Sequence, residues 1–348
     1  MNPSERIRER ILTVGPIPFA EFMGMALYGP GGFYENSPVG GSHHFVTGPH
    51  VHAVFGKLLA RGLLKMRDAM GESDPPTIVE IGAGDGTLAA QLLEYIPGAR
   101  YQAVERSPGA RRRLSDRGIP NVGDLSELDP QRNTIVIANE LLDNMPFRRV
   151  RMTDGELVEL LVDLDGDLFV EKEAPCSPEA EEAAPYLEEG EEAAVSLAAL
   201  SLVGGLARVL ERGYALFIDY QRVPREPRGG VHGYRDQGVV EDFLADPGSA
   251  DITVGVDLEA LGVKAAKEGL QSFEVLSQRR ALLALGFGRW MDEQREIQGH
   301  LLSQGAGREA TRTWSDRNAA QLLVDPAGLG SLRWMVLATP GLARPYWC

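Results

Sequence analysis

Three glycines follow a short apolar run in this chain of 348 residues and alternate with other residues. Residues 77–88 read TIVEIGAGDGTL, with Gly82, Gly84 and Gly86 between a β-branched run and a helical pattern. Glycine allows a tight turn and a close approach of the backbone to a ligand. The first N–H groups of the following helix are free to bind a carboxylate or a phosphate. The pattern predicts a ligand-binding loop between a strand and a helix.

The spacing of these glycines indicates which ligand the loop binds. A dinucleotide-binding loop, G-x-G-x-x-G, needs a third glycine at position 87, where the chain has Thr87. Glu80 inside the apolar run completes E-x-G-x-G-x-G, the pattern of methyltransferases that use S-adenosylmethionine (SAM). The zwitterionic amino acid tail of SAM suits a loop with both an acid and free N–H groups. We expect SAM as the cofactor and S-adenosylhomocysteine as its product; a dinucleotide site and a purely structural turn are the alternatives.

Two further acids follow the next two predicted strands. Glu105 comes 21 residues after Gly84, where an acid can accept hydrogen bonds from both ribose hydroxyls of a nucleoside. A solvated carboxylate at a strand end is the alternative for Glu105. Asp124 lies where it could meet the amino group of adenine, but a turn-forming aspartate after glycine explains it equally well.

A second polar group, Asn139, Glu140 and Asp143, follows the buried run at 134–138. In a doubly wound sheet this position lies at the ligand-binding edge, next to the glycine loop. A sulfonium methyl is already activated, so its transfer needs an aligned nucleophile. If that nucleophile is a guanidinium, carboxylates can hold its charge and take its proton. The spacing of Glu140 and Asp143 predicts one face of a helical turn; an acidic pair that stabilises the next helix is the alternative.

Four of the six histidines, His43, His44, His50 and His52, lie in a loop rich in glycine and proline at 28–52. Their spacing lacks the usual zinc pattern and an accompanying thiolate or carboxylate, so we predict no metal. They are interpreted as part of a substrate lid or a catalytic base, or as solvated loop residues. Long loops of this kind in compact domains are usually functional or disordered.

The chain carries 35 Lys and Arg against 50 Asp and Glu, a net charge of −15. Such a charge disfavours nucleic acid as a partner. Residues 156–192 hold fourteen acids and one lysine, which indicates either a solvated face or a surface for a basic partner. The most apolar stretch, 193–210, contains serine, glycine and arginine, so no membrane span is expected. Two cysteines and a charged N-terminal sequence predict a cytoplasmic protein.

Alternating strands and helices over 77–138 predict an α/β fold with a doubly wound parallel sheet. Helical patterns at 4–27 and 54–70 precede it, and 147–173 indicates three short antiparallel strands. An acidic linker at 174–192, a helix at 193–211 and a strand at 214–218 are expected to follow. The division proposed from these patterns is an N-terminal lid region at 1–70, a core at 71–146 and 212–348 with helical additions at about 235–270 and 285–325, and an acidic insertion at 147–211.

The blocks at 80–88 and 138–146 together resemble the MidA family of SAM-dependent methyltransferases. Members include mitochondrial proteins that methylate an arginine and support assembly of respiratory complex I. The resemblance covers roughly residues 8–285. Its further blocks are PFAEFMGMALYGPGGFY at 18–34, FVTGP at 45–49, FGKLLA at 55–60, NELLDNMP at 139–146, IDY at 218–220, YR at 234–235 and PGSADITVGVD at 247–257.

This resemblance implies a seven-strand, Rossmann-like core with helical N-terminal and inserted lid elements. On it we predict cofactor contacts from Thr47 and Pro49, beside the glycine-loop residues and the acids described above. The substrate contacts that we predict come from His50, Tyr28, Tyr34, Tyr220, Tyr234 and Arg235. The chain departs from the family at His43 and His44, at Gln221, and at Asp236 and Gln237, which puts the identity of the substrate in doubt more than SAM binding.

The function expected from the sequence is SAM-dependent methyl transfer to a protein side chain, with arginine the leading acceptor. Glu140, Asp143 and Asn139 are the expected catalytic residues. Two rivals remain: an enzyme of the same fold that methylates a small molecule, and a non-catalytic assembly factor that binds SAM. The acceptor would be a protein or peptide, with a basic one in keeping with the acidic segment, and a homodimer stays open.

Overall fold

A twisted sheet, mostly parallel, forms the centre of the computed structural model, which describes residues 2–36, 47–235 and 238–348, without the side chain of Asn36. Its strands, in spatial order, are Gln271–Ser272, Arg333–Ala338, Leu210–Asp219, Gln131–Asn139, Thr77–Ile81, Arg100–Val104 and Asn121–Val122, and Leu276–Ser277 also pairs with Arg333–Ala338. The two short strands share one edge, so eight strands occupy seven positions. The last five positions are parallel, and Arg333–Ala338 runs antiparallel to its neighbour. The predicted doubly wound core is confirmed.

Helices cover both faces of this core sheet because its central strands are apolar on both sides. All five residues of Thr77–Ile81 are buried, as expected for a strand between two helical layers. One layer includes Val54–Ala69, Thr87–Tyr95, Pro108–Asp116, Gln278–Ala284 and the start of Phe287–Ser303, and the other includes Leu197–Val209 and Leu258–Lys267. The remaining helices are Pro3–Val14, Phe19–Leu27, Phe33–Asn36, Gly48–Val51, Pro178–Ala183 and Gly307–Gln321. Among the described residues no helix combines the length and the apolarity needed to cross a membrane.

A second, antiparallel sheet is inserted after the fourth parallel strand along the chain. This insertion sheet contains Arg148–Thr153, Glu156–Asp165, Leu168–Pro175 and Glu192–Val195, and Ile17–Pro18 pairs with Glu156–Asp165. The three strands expected within 147–173 are therefore confirmed. The linker and helix expected over 174–211 are wrong in part, because residues 192–195 pair with Arg148–Thr153 instead of starting the helix. The helix begins only after Ser196, whose side chain caps the N–H of Ala199.

A third sheet, called the rim sheet below, consists of Val231–Arg235, Gly238–Val240 and Asp251–Val254. The sequence predicted helical structure at about 235–270, and this is wrong before Leu258–Lys267. Strands of three to five residues are too short to show a clear alternation, and only their pairing with one another stabilises them. The division of the chain into three regions stays a prediction.

The acidic segment is largely neutralised by the protein itself. Nine of the fourteen carboxylates in 156–192 form ion pairs with arginines or lysines of the chain. Arg148, Arg149 and Arg151, on one strand of the insertion sheet, supply many of these cations. The charge that this segment can offer to a partner is therefore much smaller than its composition suggests.

Arg149 connects the insertion sheet to its surroundings. Its side chain is 1% exposed and pairs with Glu171 and Glu192. Its guanidinium lies 5.4 Å from the ring centre of Phe19 and 5.5 Å from that of Phe243. These rings belong to the N-terminal helix Phe19–Leu27 and to the segment between two strands of the rim sheet. One buried cation thus contacts all three parts that surround the ligand-binding edge.

Replacing this cation should destabilise the fold. Arg149→Met is expected to lower the free energy of unfolding by about 2–3 kcal/mol, because two carboxylates lose a buried partner. Arg151→Met is the matched control, since Arg151 also pairs with Glu192 but is 30% exposed, and its cost should stay below about 1 kcal/mol. Urea unfolding followed by circular dichroism measures both. Equal stability of the Arg149 variant and the wild type would contradict this role.

Candidate functional site

A cavity of about 1110 Å³ lies at the carboxyl ends of the parallel strands, where ligands bind in doubly wound folds. It is lined by most of the residues that the sequence singled out: Tyr28, Tyr34, Thr47, Pro49, His50, Glu80, Gly82, Gly84, Glu105, Asp124, Asn139, Glu140, Asp143, Tyr220 and Tyr234. Gly86, Thr87 and Arg235 do not line it. The fold thus brings three segments around one space. They are the glycine loop, residues 139–143 at the end of the strand Gln131–Asn139, called the acidic motif below, and parts of the N-terminal region.

The glycine loop forms one wall of the cavity. Gly82, Gly84 and Gly86 have φ angles of 75°, 56° and 79°, which disfavour any residue with a Cβ atom. A Cβ atom at Gly82 would also lie 2.8 Å from Cδ1 of Leu141, in the acidic motif. The glycine at this position therefore lets the two ligand-facing segments approach each other.

Gly86 and Thr87 shape the loop from behind. Gly86 precedes the helix Thr87–Tyr95, and a Cβ atom on it would lie 2.9 Å from Ile119 and Leu114. Thr87 donates to Asp85 from its N–H at 3.0 Å and from its hydroxyl at 2.8 Å. Burial would raise the pKa of Asp85, but hydrogen bonds from His50 and Thr87 outweigh it and lower the pKa to about 2.

Glu105 connects the glycine loop to the end of its own strand. One of its oxygens accepts from the N–H of Gly84 at 3.0 Å and the other from the N–H of Ser107 at 2.8 Å. Burial raises the pKa of Glu105, and these two N–H groups oppose that rise. The carboxylate lines the cavity, so its position is consistent with the predicted ribose contact.

Glu80 and Asp124 occupy very different surroundings. Glu80 is 4% exposed and accepts from the hydroxyl of Tyr101 at 2.5 Å. Burial raises the pKa of Glu80 to about 8, against the effect of that hydrogen bond and with the help of Glu105 and Asp85. Asp124 is exposed and caps the turn Leu125–Glu127 by accepting from Ser126, which lowers its pKa. The turn-forming interpretation of Asp124 therefore describes its contacts, although it also borders the cavity.

The acidic motif takes a shape that the sequence did not predict. Glu140 has a φ angle of 50°, and a short 3₁₀ turn, Leu142–Asn144, begins two residues later. Glu140 and Asp143 therefore do not share one face of a helical turn, and that expectation is wrong. A left-handed backbone is unfavourable for glutamate and persists only where the surrounding structure enforces it. The carboxylate of Glu140 accepts from the N–H of Gly48 and from the Asn139 amide, both at 3.1 Å.

Asp219, which the sequence analysis did not select, holds this backbone in place. Its carboxylate accepts from the N–H groups of Leu141 at 3.0 Å and Leu142 at 2.7 Å. It is 1% exposed, and burial raises its pKa to about 6 against these hydrogen bonds. Asp219 ends the strand Leu210–Asp219, beside Gln131–Asn139, so parallel pairing brings it to the motif. Its only signal in the sequence is its position after a buried strand, inside the block IDY.

Asp251 is a second buried acid that the sequence analysis missed. It begins the strand Asp251–Val254 of the rim sheet, lines the cavity and is 2% exposed. Its Oδ1 accepts from the Tyr34 hydroxyl at 2.9 Å and from the Asn144 amide at 3.0 Å. Burial raises the pKa of Asp251 to about 7, against the effect of these bonds. The sequence block that contains Asp251, PGSADITVGVD, indicated the family but did not indicate that this residue belongs to the site.

Four carboxyl groups thus cluster at one end of the cavity: Glu140, Asp143 and Asp251 line it, and Asp219 holds the backbone beside them. Burial raises the pKa of Glu140 to about 7 and that of Asp143 well above its usual range, and neighbouring carboxylates add to both. Among the described residues, no arginine or lysine forms an ion pair with any of the four. Oδ1 of Asp143 is buried without a hydrogen-bond partner. This end of the cavity is suited to a cation.

The N-terminal region contributes a short segment and two aromatic rings. The Thr47 hydroxyl lies 2.8 Å from Nδ1 of His50, whose Nε2 lies 3.4 Å from Asp85, and the Pro49 carbonyl accepts from Gln91 at 2.8 Å. The rings of Tyr28 and Tyr34 stack with centres 5.3 Å apart.

Several predicted residues lie away from the cavity or cannot be placed. Arg235 contacts Ser249 and Asp246 and does not line the cavity. His52 packs against Trp290. His43, His44, Asp236 and Gln237 lie outside the described residues. Within the described ranges no group of three or more His, Cys, Asp or Glu side chains could hold a metal ion.

Comparisons with known proteins agree with this architecture. Residues 58–276 match the model of a family described as "Putative S-adenosyl-L-methionine-dependent methyltransferase". The crystal structure of a Burkholderia thailandensis protein bound to S-adenosyl-homocysteine is similar to this chain, with a TM-score of 0.83 and 27% identity over 98% of this chain and 92% of that one. A native structure from the same organism has a TM-score of 0.83 and 28% identity, over 99% and 93% of the two chains. SAM as the cofactor is confirmed.

Curated relatives are similar over most of their length. The Drosophila melanogaster "Protein arginine methyltransferase NDUFAF7 homolog, mitochondrial" is 30% identical over 74% of this chain and 68% of its own. The Danio rerio "Protein arginine methyltransferase NDUFAF7, mitochondrial" is 27% identical over 81% and 76%. Because these relatives are mitochondrial proteins, the predicted cytoplasmic location is wrong. The family model and these relatives together show that the chain belongs to this family of SAM-dependent methyltransferases.

Proposed function

We propose that this methyltransferase transfers its methyl group to the guanidinium of a protein arginine. The observation that carries the proposal is a cluster of carboxyl groups at one end of the cavity: Glu140, Asp143 and Asp251 line it, and Asp219 contacts the backbone beside them. No arginine or lysine of the described chain forms an ion pair with this cluster. A guanidinium is a planar cation with five N–H donors and stays charged at every physiological pH. Relatives named as protein arginine methyltransferases support the same acceptor.

The residues around the glycine loop are suited to SAM. The left-handed backbone at Gly82 and Gly84 leaves a surface without Cβ atoms beside Glu105, which borders the cavity. Glu80 and the loop would hold the amino acid tail, and Glu105 the ribose. When bound, SAM supplies a methyl group that its sulfonium centre activates.

The carboxyl groups at the other end would hold and orient the acceptor. Asp143, with one buried oxygen unpartnered, is the natural ligand for the guanidinium charge. Without a cation, burial keeps the pKa values of Glu140 and Asp143 raised. A bound guanidinium would favour their charged forms, so the cost of burying them is offset only when the acceptor is present.

Glu140 is the proposed proton acceptor. The guanidinium nitrogen gains a methyl group as the bond between that methyl and sulfur breaks, and the nitrogen then gives up one proton. A base with a pKa near 7 can accept a proton and release it again at neutral pH. Asn139 and the N–H of Gly48 fix the position of this carboxylate.

A small molecule is the second candidate acceptor. Gln221, which stands where the family usually has glycine, borders the cavity and could change what it admits. Methyl transfer to a protein extract and to a metabolite extract from the same cells distinguishes the two acceptors. A basic acceptor protein and a homodimer remain proposals.

The ribose contact can be tested by calorimetry. Glu105→Ala should weaken S-adenosylhomocysteine binding about 10–150-fold, because a charged hydrogen-bonding group contributes about 1.5–3 kcal/mol. Glu94→Ala is the control, since Glu94 is an exposed residue of the helix Thr87–Tyr95, and its affinity should match the wild type. If Glu105→Ala binds S-adenosylhomocysteine as tightly as the wild type, Glu105 does not contact the cofactor.

The acidic motif should affect turnover more than cofactor binding. Glu140→Gln and Asp143→Asn keep the size of each side chain and remove its charge, and each should slow methyl transfer by about 10²–10³-fold. Affinity for SAM should stay within a few-fold of the wild type, and Glu94→Gln should leave both quantities unchanged. Wild-type rates in both variants would contradict a catalytic role of Glu140 and Asp143. A loss of SAM affinity that matches the loss of rate would show that these residues belong to the cofactor site.

The raised pKa of Glu140 also predicts a pH dependence. A general base acts only when deprotonated, so kcat/KM for the acceptor should fall as pH decreases through about 7 and level off above it. The guanidinium does not titrate in this range, so the change reports carboxyl groups of the enzyme. Initial rates at saturating SAM between pH 5.5 and 8.5 measure it, and a flat profile would contradict a base with this pKa.

A further inference from the structure

We infer that Asp251 is a second ligand of the acceptor guanidinium, which it contacts through its Oδ2 atom while Asp143 contacts another edge of the same cation. This inference rests on the proposed function and adds to it a residue from the rim sheet. It would make the rim sheet part of the acceptor-binding site.

The hydrogen bonds of Asp251 converge on one of its two oxygens. Oδ1 accepts from the Tyr34 hydroxyl at 2.9 Å, from the Asn144 amide at 3.0 Å and from its own strand, through the N–H of Ile252, at 2.9 Å. In the described part of the chain, no hydrogen bond or ion pair reaches Oδ2. Asp251 lines the cavity, and Oδ2 is the oxygen that keeps its capacity to accept a hydrogen bond from a ligand there.

A structural role alone does not explain a carboxylate at this position. All three donors are neutral, and an asparagine could accept the same three bonds through its own Oδ1. A buried charge is costly unless a cation is paired with it. Asp251 is 2% exposed and has no such partner among the described residues. The cavity that it borders is the place from which a cation can reach it.

Asn144 sets the spacing between Asp251 and Asp143. It directly follows Asp143 in the chain, its amide donates to Asp251, and its carbonyl accepts from the Tyr28 hydroxyl at 2.7 Å. The Asp251 charge also raises the pKa of Asp143, so the two carboxyl groups are close enough to interact. Two carboxylates on separate segments, joined by one amide, can contact different edges of one planar guanidinium.

The other two acids of this group have different roles. Asp219 accepts at both of its oxygens from backbone N–H groups, two of them in the motif. Glu140 accepts from Gly48 and Asn139 at Oε1, and no hydrogen bond in the described structure reaches its Oε2, the oxygen proposed to take the proton. Asp143 and Asp251, each with one oxygen that accepts no hydrogen bond from the described residues, are left to hold the charge of the acceptor.

The test uses the full-length protein saturated with S-adenosylhomocysteine and two small probes of similar shape. Ethylguanidinium carries the acceptor's charge, and ethylurea is its neutral analogue. Calorimetry on the wild type should show a clear preference for ethylguanidinium. In Asp251→Asn, Oδ1 can keep its three donors while an NH₂ group replaces Oδ2, so ethylguanidinium should bind about 10–100-fold more weakly and ethylurea about equally.

Three further measurements make the result specific. Asp242→Asn is the matched control, because Asp242 is exposed, caps the N–H of Leu244 and does not line the cavity, and its probe affinities should equal those of the wild type. Affinity for S-adenosylhomocysteine in Asp251→Asn should stay within about twofold, which shows that the variant is folded. Methylation of an arginine-containing peptide should show a raised KM with a smaller change in kcat, in contrast to Glu140→Gln.

The outcomes separate this inference from the function on which it rests. If Asp251→Asn binds ethylguanidinium as tightly as the wild type, Asp251 is not an acceptor ligand, although the proposed function stands. If the wild type itself does not prefer ethylguanidinium to ethylurea, the proposed function and the inference both fail. If Asp251→Asn does not bind S-adenosylhomocysteine, Asp251→Glu replaces it, because this variant keeps the charge and moves it by one methylene. In Asp251→Glu, an intermediate loss of ethylguanidinium affinity supports the inference, and an affinity equal to that of the wild type overturns it.

Discussion

Buried carboxyl groups repel one another unless protons or a cation accompany them, and this constraint governs one end of the ligand cavity. Glu140, Asp143 and Asp251 line this end, Asp219 contacts the backbone beside them, and the hydrogen-bond donors that the described chain supplies to them are neutral. Burial raises the pKa of all four groups, because the charged forms are unfavourable in this arrangement. A protein that only needed a stable fold could fill this space with apolar groups. The arrangement is explained if an acceptor supplies the missing positive charge.

Residues from all three sheets contribute to this arrangement. The core sheet delivers Asp219 and the acidic motif at adjacent strand ends, and Asp219 holds the motif's backbone, where Glu140 takes a left-handed conformation. The rim sheet delivers Asp251, and the N-terminal region delivers Tyr28 and Tyr34. Arg149, in the insertion sheet, contacts rings from both of these neighbours. In the insertion sheet, Arg149 lies between two carboxylates and stabilises the contact between these parts. Among the described residues, the acceptor end of the cavity has no such cation.

Much of this could be predicted from the sequence, because the relevant signals are local. The glycine spacing and Glu80 indicated SAM, and the apolar runs indicated the parallel strands. Asp219 and Asp251 were missed because they lie 79 and 111 residues after Glu140. Strand pairing brings Asp219 to the motif, and a hydrogen bond from Asn144 joins Asp251 to it. The backbone conformation of Glu140 was also missed, because hydrogen bonds from the backbone N–H groups that follow it to the Asp219 carboxylate impose it. The cytoplasmic location failed for another reason: it rested on composition, whereas the relatives are mitochondrial.

If this cavity presents an arginine guanidinium to the methyl group of SAM, the methylated atom can be identified directly. The protein is incubated with a protein extract and SAM that carries a deuterated methyl group, and the products are analysed by tandem mass spectrometry. Label should appear on guanidinium nitrogens of arginine with the wild type and should be nearly absent with Glu140→Gln. Label confined to lysine, to other side chains or to small molecules, at equal levels with both proteins, would contradict this proposal.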